Sequence, residues 1–249
     1  MKILVIGDTC KDIYIYCSSD RFCPDAPVPV LKPTKKIKSL GMAGNVADNL
    51  KGLGCKVDII SNTEKIKKTR YVHKRTNHMF IRIDEGENNI NSISYDILQS
   101  IKWDDYDAVV VSDYCKGFLN EEHIEYISKM HTKTFLDTKK PLGPYAKHFT
   151  LIKINDVEYN KTKNTISKDL DDILIVTLGS EGARYKDITV KVNKVDVRDT
   201  SGAGDTFLAG LVYSYVKNND KYEAINFANK CASYVVQKKG TAKVNIKKL

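Results

Sequence analysis

The sequence holds a single tryptophan, six prolines and no uninterrupted apolar run near the roughly 20 residues that span a bilayer. A membrane-spanning helix is therefore not expected, and no membrane partner. The apolar start over residues 1–7 meets Asp8 too soon to act as a signal peptide. None of the six cysteines forms a CxxC pair, which argues against a structural zinc site or a thioredoxin-like motif. Scattered as they are, they read as reduced thiols, and the expected compartment is the cytoplasm. No histidine spacing suits a metal ion. Internal repeats are missing, and no GxxxxGK[ST] string occurs, so a Walker A loop is excluded.

What is present is a globular composition, 42% hydrophobic and 29% charged over 249 residues, enough to bury a substantial core. Forty Lys plus Arg against 31 Asp plus Glu leave a formal charge of +9. Such an excess favours an anionic partner, whether phosphate metabolites, nucleic acid or a membrane surface.

Short β-branched runs at 3–6, 57–60, 108–111, 134–136, 150–152 and 173–177 read as buried strands. Between them apolar residues recur at helical spacing: Val46, Leu50 and Leu53; Ile124, Ile127 and Met130; Phe207, Leu211 and Tyr215; then Ala224, Phe227, Ala228, Cys231 and Val235. This alternation predicts an α/β fold with a mainly parallel sheet covered on both faces. Ligands of such folds gather outside the carboxyl ends of the strands. Segments 12–38 and 69–84 break the rhythm and resemble hairpins. The first carries Tyr14-Ile15-Tyr16 and Val28-Pro29-Val30-Leu31, and the second has two β-rich runs joined through Thr76-Asn77-His78. Together they predict a small β-layer outside the main sheet, serving as a lid or a dimerisation surface.

The chemistry concentrates in Asp199-Thr200-Ser201-Gly202-Ala203-Gly204-Asp205, directly before an apolar helix over 206–216. Small residues at a helix N-terminus let several backbone N–H groups converge on one anion, and the helix dipole adds to their pull. The amides of Gly202, Ala203 and Gly204 are thus expected to form an anion hole for a phosphoryl group. Asp205 beside them is the expected base for an attacking hydroxyl.

This string resembles the DTxGAGD signature of the ribokinase/PfkB carbohydrate kinases, and other landmarks of that family follow in order. Gly7-Asp8 closes the first strand, with Asp12 four residues on. Gly41-Met42-Ala43-Gly44-Asn45-Val46-Ala47 resembles the family's glycine-rich sugar-binding turn. Asn155-Asp156-Val157-Glu158 matches NxxE, and Thr177-Leu178-Gly179-Ser180-Glu181-Gly182 resembles TxGxxG. The stretch from Arg21 to Val30 is similar to the RISPEAPVPV of the D-glycero-D-manno-heptose-7-phosphate kinases within that family. Ser112-Asp113-Tyr114-Cys115-Lys116-Gly117 is similar to their SDYGKG, Asp137-Thr138-Lys139 to their DPK, and Arg82-Ile83-Asp84 to an RxD strand end. The passage from Ala228-Asn229 to Gly240-Thr241-Ala242 also resembles theirs.

The resemblance implies one ribokinase-like three-layer α/β/α kinase domain over 1–249 with a small β lid. It implies ATP and Mg²⁺ as cofactors, and transfer of the γ-phosphoryl group to the anomeric hydroxyl of heptose 7-phosphate, a step in heptose activation. Asp8, Asp12, Asn45 and Gly41 are then expected at the sugar, with Arg21, Lys116, Asp137 and Lys139 also binding the substrate. Asn155, Thr177, Gly179, Gly182, Asn229 and Gly240 are expected at the nucleotide, and Glu158 near Mg²⁺. A homodimer through the lid is expected. A kinase for another sugar or nucleoside, or a silent nucleotide-binding protein, stand as alternatives, and nucleic-acid binding ranks last. Against the family pattern, Met42 and Cys115 stand where glycine is common, the passage from Gly54 to Arg70 is short, and the usual last helix is expected to be missing.

Overall fold

A computed structural model describes residues 1–164 and 166–249. The chain runs β1 (Lys2–Gly7), β2 (Thr9–Ser18), β3 (Lys32–Met42), α1 (Ala43–Gly52), β4 (Lys56–Ile60), β5 (Lys67–His73) and β6 (Met79–Glu85). It continues through α2 (Tyr95–Ser100), β7 (Ala108–Asp113), α3 (Glu121–Lys129), β8 (Thr134–Thr138), β9 (Leu151–Asn155) and α4 (Asp156–Thr162). Then come β10 (Leu174–Thr177), β11 (Ala183–Tyr185), β12 (Ile188–Val190), α5 (Ala203–Asn218) and α6 (Lys221–Val236).

Eight strands form the central sheet in the order β12-β11-β10-β9-β8-β7-β1-β4. From β4 to β10 every pairing is parallel, and β11 and β12 close the far edge antiparallel. The alternation of side chains along a strand divides the core in two. In β1, Ile3 and Val5 join Val110, Phe135, Leu151 and Ile175 under α1, α5 and α6. Leu4 and Ile6 join Val109, Val111, Leu136 and Ile152 under α3 on the other face. Each such aliphatic side chain, fully buried, contributes about 1.5–3 kcal/mol of hydrophobic stabilisation. Helices on both faces of a mainly parallel sheet are the three-layer arrangement that the strand–helix alternation predicts.

A second sheet, β3-β2-β5-β6, is inserted after β1 and again after β4, so it is attached at their carboxyl ends. β2 pairs antiparallel with β3, and β5 with β6, as two hairpins. They are welded by a parallel β2–β5 pairing that local sequence patterns do not announce. The first hairpin also departs from expectation. Its second arm begins at Lys32, and the expected Val28–Leu31 run contributes only a single bridge between Phe22 and Pro29. Prolines at 27, 29 and 33 withhold the N–H donors that a longer ladder would need. The two faces of this sheet differ in chemistry. One cross-strand row reads Ser39, Asp12, Lys68, Asp84, and the adjacent row on that face reads Ile37, Tyr14, Arg70, Arg82. The opposite face carries Ile13, Ile15, Tyr71, Ile81 and Ile83, with the last two exposed and with Lys36 and Lys38 ending the same rows.

The central sheet stops at β4, an edge strand whose Asp58 is tied to Lys2 and Tyr106, charged chemistry that suits an unpaired edge. Among the described residues no α-helix follows α6, and residues after it run back over α1, where Val244 packs on Leu53, Cys231 and Val235. Both positions at which glycine is the family habit have left-handed backbone, Met42 at φ 58° and Cys115 at φ 54°. That conformation is the physical reason for glycine there, and a side chain in it costs roughly 1 kcal/mol or more. Among the described residues no helix is long and apolar enough to cross a membrane.

Candidate active site

β1 is the strand from which the parallel sheet extends both ways, and the carboxyl ends of β1, β7, β8 and β9 face the N-terminus of α5. The turn into α5 is possible because Gly202 takes φ 80°. Asp199 braces that turn by accepting from Ser201 N at 2.9 Å and from Gly240 N at 3.0 Å. Asp205, on the first turn of α5, is 4% exposed. Its Oδ2 accepts from Asn45 Nδ2 at 2.8 Å and its Oδ1 from the Tyr114 hydroxyl at 2.5 Å. Burial pushes this carboxyl up from 3.8 to about 6, with Asp137 adding to the rise, while the two hydrogen bonds and Lys153 oppose it. A carboxylate with that affinity for a proton suits a general base near neutral pH.

The expected anion hole changes in one member. The Ala203 N–H is spent on the carbonyl of Thr200 at 3.1 Å. Among the described residues, the N–H groups of Gly202, Gly204 and Asp205 meet no acceptor in the chain. Orphan donors at a helix N-terminus, flanked by glycines, fit a phosphate oxygen. Lys153 stands beside them, because a Cβ at Gly204 would lie 3.0 Å from its Nζ. Lys153 is itself buried and bonds Asp137 at 2.8 Å, and the other oxygen of Asp137 is buried with no partner.

Three expected sugar ligands are engaged within the protein. Asp8 is fully buried and accepts from the backbone N–H groups of Tyr114, Lys116 and Phe118 at 2.7, 3.3 and 3.4 Å. Asn45 is spent on Asp205 and is held in turn by Asn49, whose Nδ2 donates to Asn45 Oδ1 at 3.0 Å. Asp12 pairs with Arg70 at 2.5 Å, and its other oxygen lies 2.3 Å from where a Cβ of Gly41 would fall, so Gly41 is the residue that admits it. Lys116 reaches Glu87 at 2.6 Å, which also meets Lys68 at 3.2 Å. Lys139 pairs with Glu158 and lies over the Tyr114 ring. Arg21 does not join the cluster. It is exposed in the segment between β2 and β3, beyond the hairpin end at Ser18, about 30 Å along the strand from Thr9.

Asn155 and Glu158 form a reciprocal capping box at the start of α4, with both backbone N–H groups satisfied at 2.8 Å. Among the described residues no three carboxylate, histidine or cysteine side chains gather to cage a metal. A lone carboxylate suits Mg²⁺, which keeps waters and takes its other ligands from phosphate oxygens. Thr177 and Gly179 lie at the end of β10, and Gly179 has open space around it. Gly182 and Asn229 converge on one backbone carbonyl: a Cβ at Gly182 would lie 2.1 Å from Val190 O, which also accepts from Asn229 Nδ2 at 2.9 Å. That contact fixes α6 to β12 and leaves the Asn229 amide nitrogen committed.

A cavity of about 270 Å³ opens beside the phosphate turn, between Tyr14, Val72 and Asn77 of the second sheet and Arg198, Asp199 and Thr200. A larger hollow of about 610 Å³ lies under β10 and β11 near Tyr159 and Arg184, and none of the expected site residues lines it. Tyr114, Lys153, Asn49 and Glu87 are site residues that the motif reading did not select. Asp113 belongs with them, accepting from Thr138 Oγ1 at 2.6 Å and from Lys140 at 2.7 Å. Of these, Asp113 and Tyr114 lay inside a recognised string.

The profile described as pfkB family carbohydrate kinase matches residues 1–248. The chain is 32% identical to the bifunctional protein HldE of Nitratiruptor sp., covering all of this chain and 64% of that one. It is also 32% identical to the bifunctional protein HldE of Helicobacter pylori, all of this chain against 65%. The chain thus spans less than two thirds of these relatives. Among solved structures, phosphofructokinase-2 of Escherichia coli superposes with a TM-score of 0.72 at 14% identity, over 99% of this chain and 96% of that one. A nucleoside kinase of Methanocaldococcus jannaschii, described as an archaeal member of the ribokinase family, gives 0.68 at 20% identity, with 99% and 96% covered.

Proposed function

The chain belongs to the pfkB family of carbohydrate kinases, and on that footing we propose that it transfers the γ-phosphoryl group of ATP to a hydroxyl of a sugar phosphate. The acceptor we propose is D-glycero-D-manno-heptose 7-phosphate, phosphorylated at its anomeric hydroxyl to the 1,7-bisphosphate. The observation that carries the reading is the buried Asp205, raised to about 6, beside three backbone N–H groups that meet no acceptor among the described residues.

In the proposed reaction Asp205 takes the proton of the acceptor hydroxyl while that oxygen bonds to the γ-phosphorus. The bond from phosphorus to the bridging oxygen breaks and ADP leaves with that electron pair. The N–H groups of Gly202, Gly204 and Asp205 stabilise charge on the transferring phosphoryl oxygens. Mg²⁺, when bound near Glu158, would supply charge neutralisation of the triphosphate. Lys153 and Lys139 bring further positive charge to the same strand ends, and the acceptor would enter from the side of Asp12 and the chemistry-bearing face of the second sheet. The +9 formal charge fits a protein that handles two anionic substrates. We also propose a homodimer through the opposite face of that sheet, where Ile81 and Ile83 are 51% and 41% exposed.

The test is ADP release by purified protein over a panel of acceptors, namely heptose 7-phosphate, hexose phosphates, free sugars and nucleosides. Heptose 7-phosphate should give the highest kcat/KM. Met42, buried in the expected sugar-binding turn, favours watching for a different sugar phosphate. Turnover confined to another acceptor would replace the substrate while keeping the kinase, and no acceptor-dependent turnover at all would overturn the reading.

A further inference from the structure

Asp8 and Asp205 are linked through one tyrosine. The loop at 114–118 leaves β7 with Cys115 at φ 54° and Gly117 at φ 110°, a curl that turns three backbone N–H groups onto the Asp8 carboxylate. Both oxygens of Asp8 are thereby used, and the same loop delivers the Tyr114 hydroxyl to Asp205 Oδ1 at 2.5 Å. The other oxygen of Asp205 is held from the opposite side. Val244 N donates to Asn49 Oδ1 at 2.9 Å, Asn49 donates to Asn45, and Asn45 donates to Asp205. Two donors on two different oxygens fix the rotation of the carboxylate and leave its remaining lone pairs for an incoming hydroxyl.

Resting on the kinase reading above, we propose that Tyr114 is a positioning residue for the base, and that Asp8 acts on the reaction through Tyr114 rather than by touching the acceptor. Tyr114 remains the donor in this pair, because burial and the neighbouring carboxylates hold its hydroxyl well above the usual tyrosine range. The other charged and titratable groups facing Asp205 are Asp137 from β8, Lys139 just beyond it, Lys153 from β9 and Cys10 from β2. None of them hydrogen-bonds Asp205; among the described residues the tyrosine and Asn45 are the side chains that set its orientation.

The test compares Tyr114→Phe, Asp8→Asn and the double variant with wild type in kcat, acceptor KM and the pH profile of kcat/KM. Removing a hydrogen bond to a carboxylate should move the acid limb of Tyr114→Phe up by about one pH unit. Its kcat should fall about tenfold with acceptor KM within about twofold. Asp8→Asn presents an amide N–H to a loop that offers only donors, so it should release Tyr114 and reproduce the same limb shift. The double variant should then be no worse than the worse single variant. An unmoved limb in Tyr114→Phe overturns the positioning role. A large rise in acceptor KM for Asp8→Asn, multiplying with the tyrosine effect in the double variant, overturns the claim that Asp8 acts through Tyr114.

If Asp8→Asn fails to fold, Tyr114→Phe still decides the first claim, since it removes a single oxygen. For the second, Gly117→Ala strains the curl at φ 110° that presents the donors to Asp8, without changing Asp8 or a core side chain; it should shift the limb upward, and an unmoved limb counts against the link. Carboxyl ¹³C titration of Asp205 in wild type and Tyr114→Phe reads the same shift without turnover. A shifted titration in a protein that phosphorylates no acceptor would sink the kinase reading and leave the Tyr114–Asp205 coupling standing. An unshifted titration in an active kinase would sink only the coupling.

Discussion

Replacing Asp205 with asparagine should raise stability and abolish turnover together, with a pH signature that no ordinary surface change would produce. The folded carboxyl sits at about 6 against an ordinary 3.8, so the folded state binds that proton more tightly than the unfolded one. Its contribution to stability is therefore greatest below about pH 4, declines as pH rises through the window from 3.8 to about 6, and is an unfavourable term above it. Two units correspond to about 3 kcal/mol of burial cost carried at pH 8. An asparagine there keeps an acceptor for Tyr114 but sets a second NH₂ against Asn45 Nδ2, a mismatch costing about 1–2 kcal/mol. The net expectation at pH 8 is a gain of about 1–2 kcal/mol, a rise in Tm of roughly 2–8 °C. At pH 4 that gain should turn into a loss of about 1 kcal/mol, since wild-type Asp205 is then already protonated and only the mismatch at Asn45 remains. In kinetics the wild-type kcat/KM should fall with unit slope below about pH 6 and be about tenfold lower at pH 5, while Asp205→Asn loses about 10²–10⁴ in kcat. Thermal melts across pH 4–8 and coupled ADP-release assays read both. Near-normal turnover of Asp205→Asn with intact ATP binding would refute the base. A stability difference independent of pH would refute the burial cost assigned to it.

Three further perturbations test other parts of the structure. Cys115→Gly relieves left-handed strain at an exposed position and should raise Tm by roughly 2–4 °C, about 1 kcal/mol, with turnover retained; an unchanged or lower Tm would mean the φ of 54° carries no strain. Gly202→Ala places a Cβ 2.5 Å from Asn45 Nδ2 on a backbone at φ 80°, so kcat should fall about 10²-fold as the anion turn and the Asn45–Asp205 bond shift, and wild-type rates would refute that geometry. Ile81→Asp puts a charge on the outward row that joins Ile15 and Tyr71. It should turn a dimer seen by sedimentation into a monomer, whereas a wild type that is monomeric at tens of micromolar, about the range expected of weak interfaces, would remove the proposed interface.

The fold was legible where the signal is local. Six strands and four of the helices announce themselves through period, though the run at 57–60, expected to be buried, is the exposed edge strand β4 because only β1 pairs with it; Gly202 and Gly204 mark the helix start that carries the anion site. The parallel β2–β5 pairing was not legible, because nothing in either hairpin specifies which edge meets which. Site residues were missed for a related reason. Lys153 sits between Ile152 and Ile154 in β9, where its burial makes sense only once Asp137, sixteen residues earlier, lies beside it. Glu87 acquires a role only between Lys68 and Lys116, which come from different elements. Asp8 was visible as a carboxylate at a strand end, but its three donors lie more than a hundred residues away, so its occupation was invisible. The Ala203 amide was misjudged at shorter range, because a glycine-rich turn can close on its own carbonyl as readily as on a ligand.

Four carboxylates crowd the carboxyl edge of this sheet, and their partners separate them. Asp137 faces a buried lysine, and Asp113 takes Lys140 together with a threonine hydroxyl and the Cys115 N–H. Asp8 is tied down by three peptide donors. Each of these is neutralised or immobilised by groups that belong to the scaffold, which suits a carboxylate that holds strands and loops together. Asp205 alone is held by two neutral side chains, next to backbone donors that meet no acceptor among the described residues. Burial raises its proton affinity to about 6, and its surroundings are incomplete without an anion. The edge therefore divides its work: three acids build the platform, and the fourth is left to take a proton.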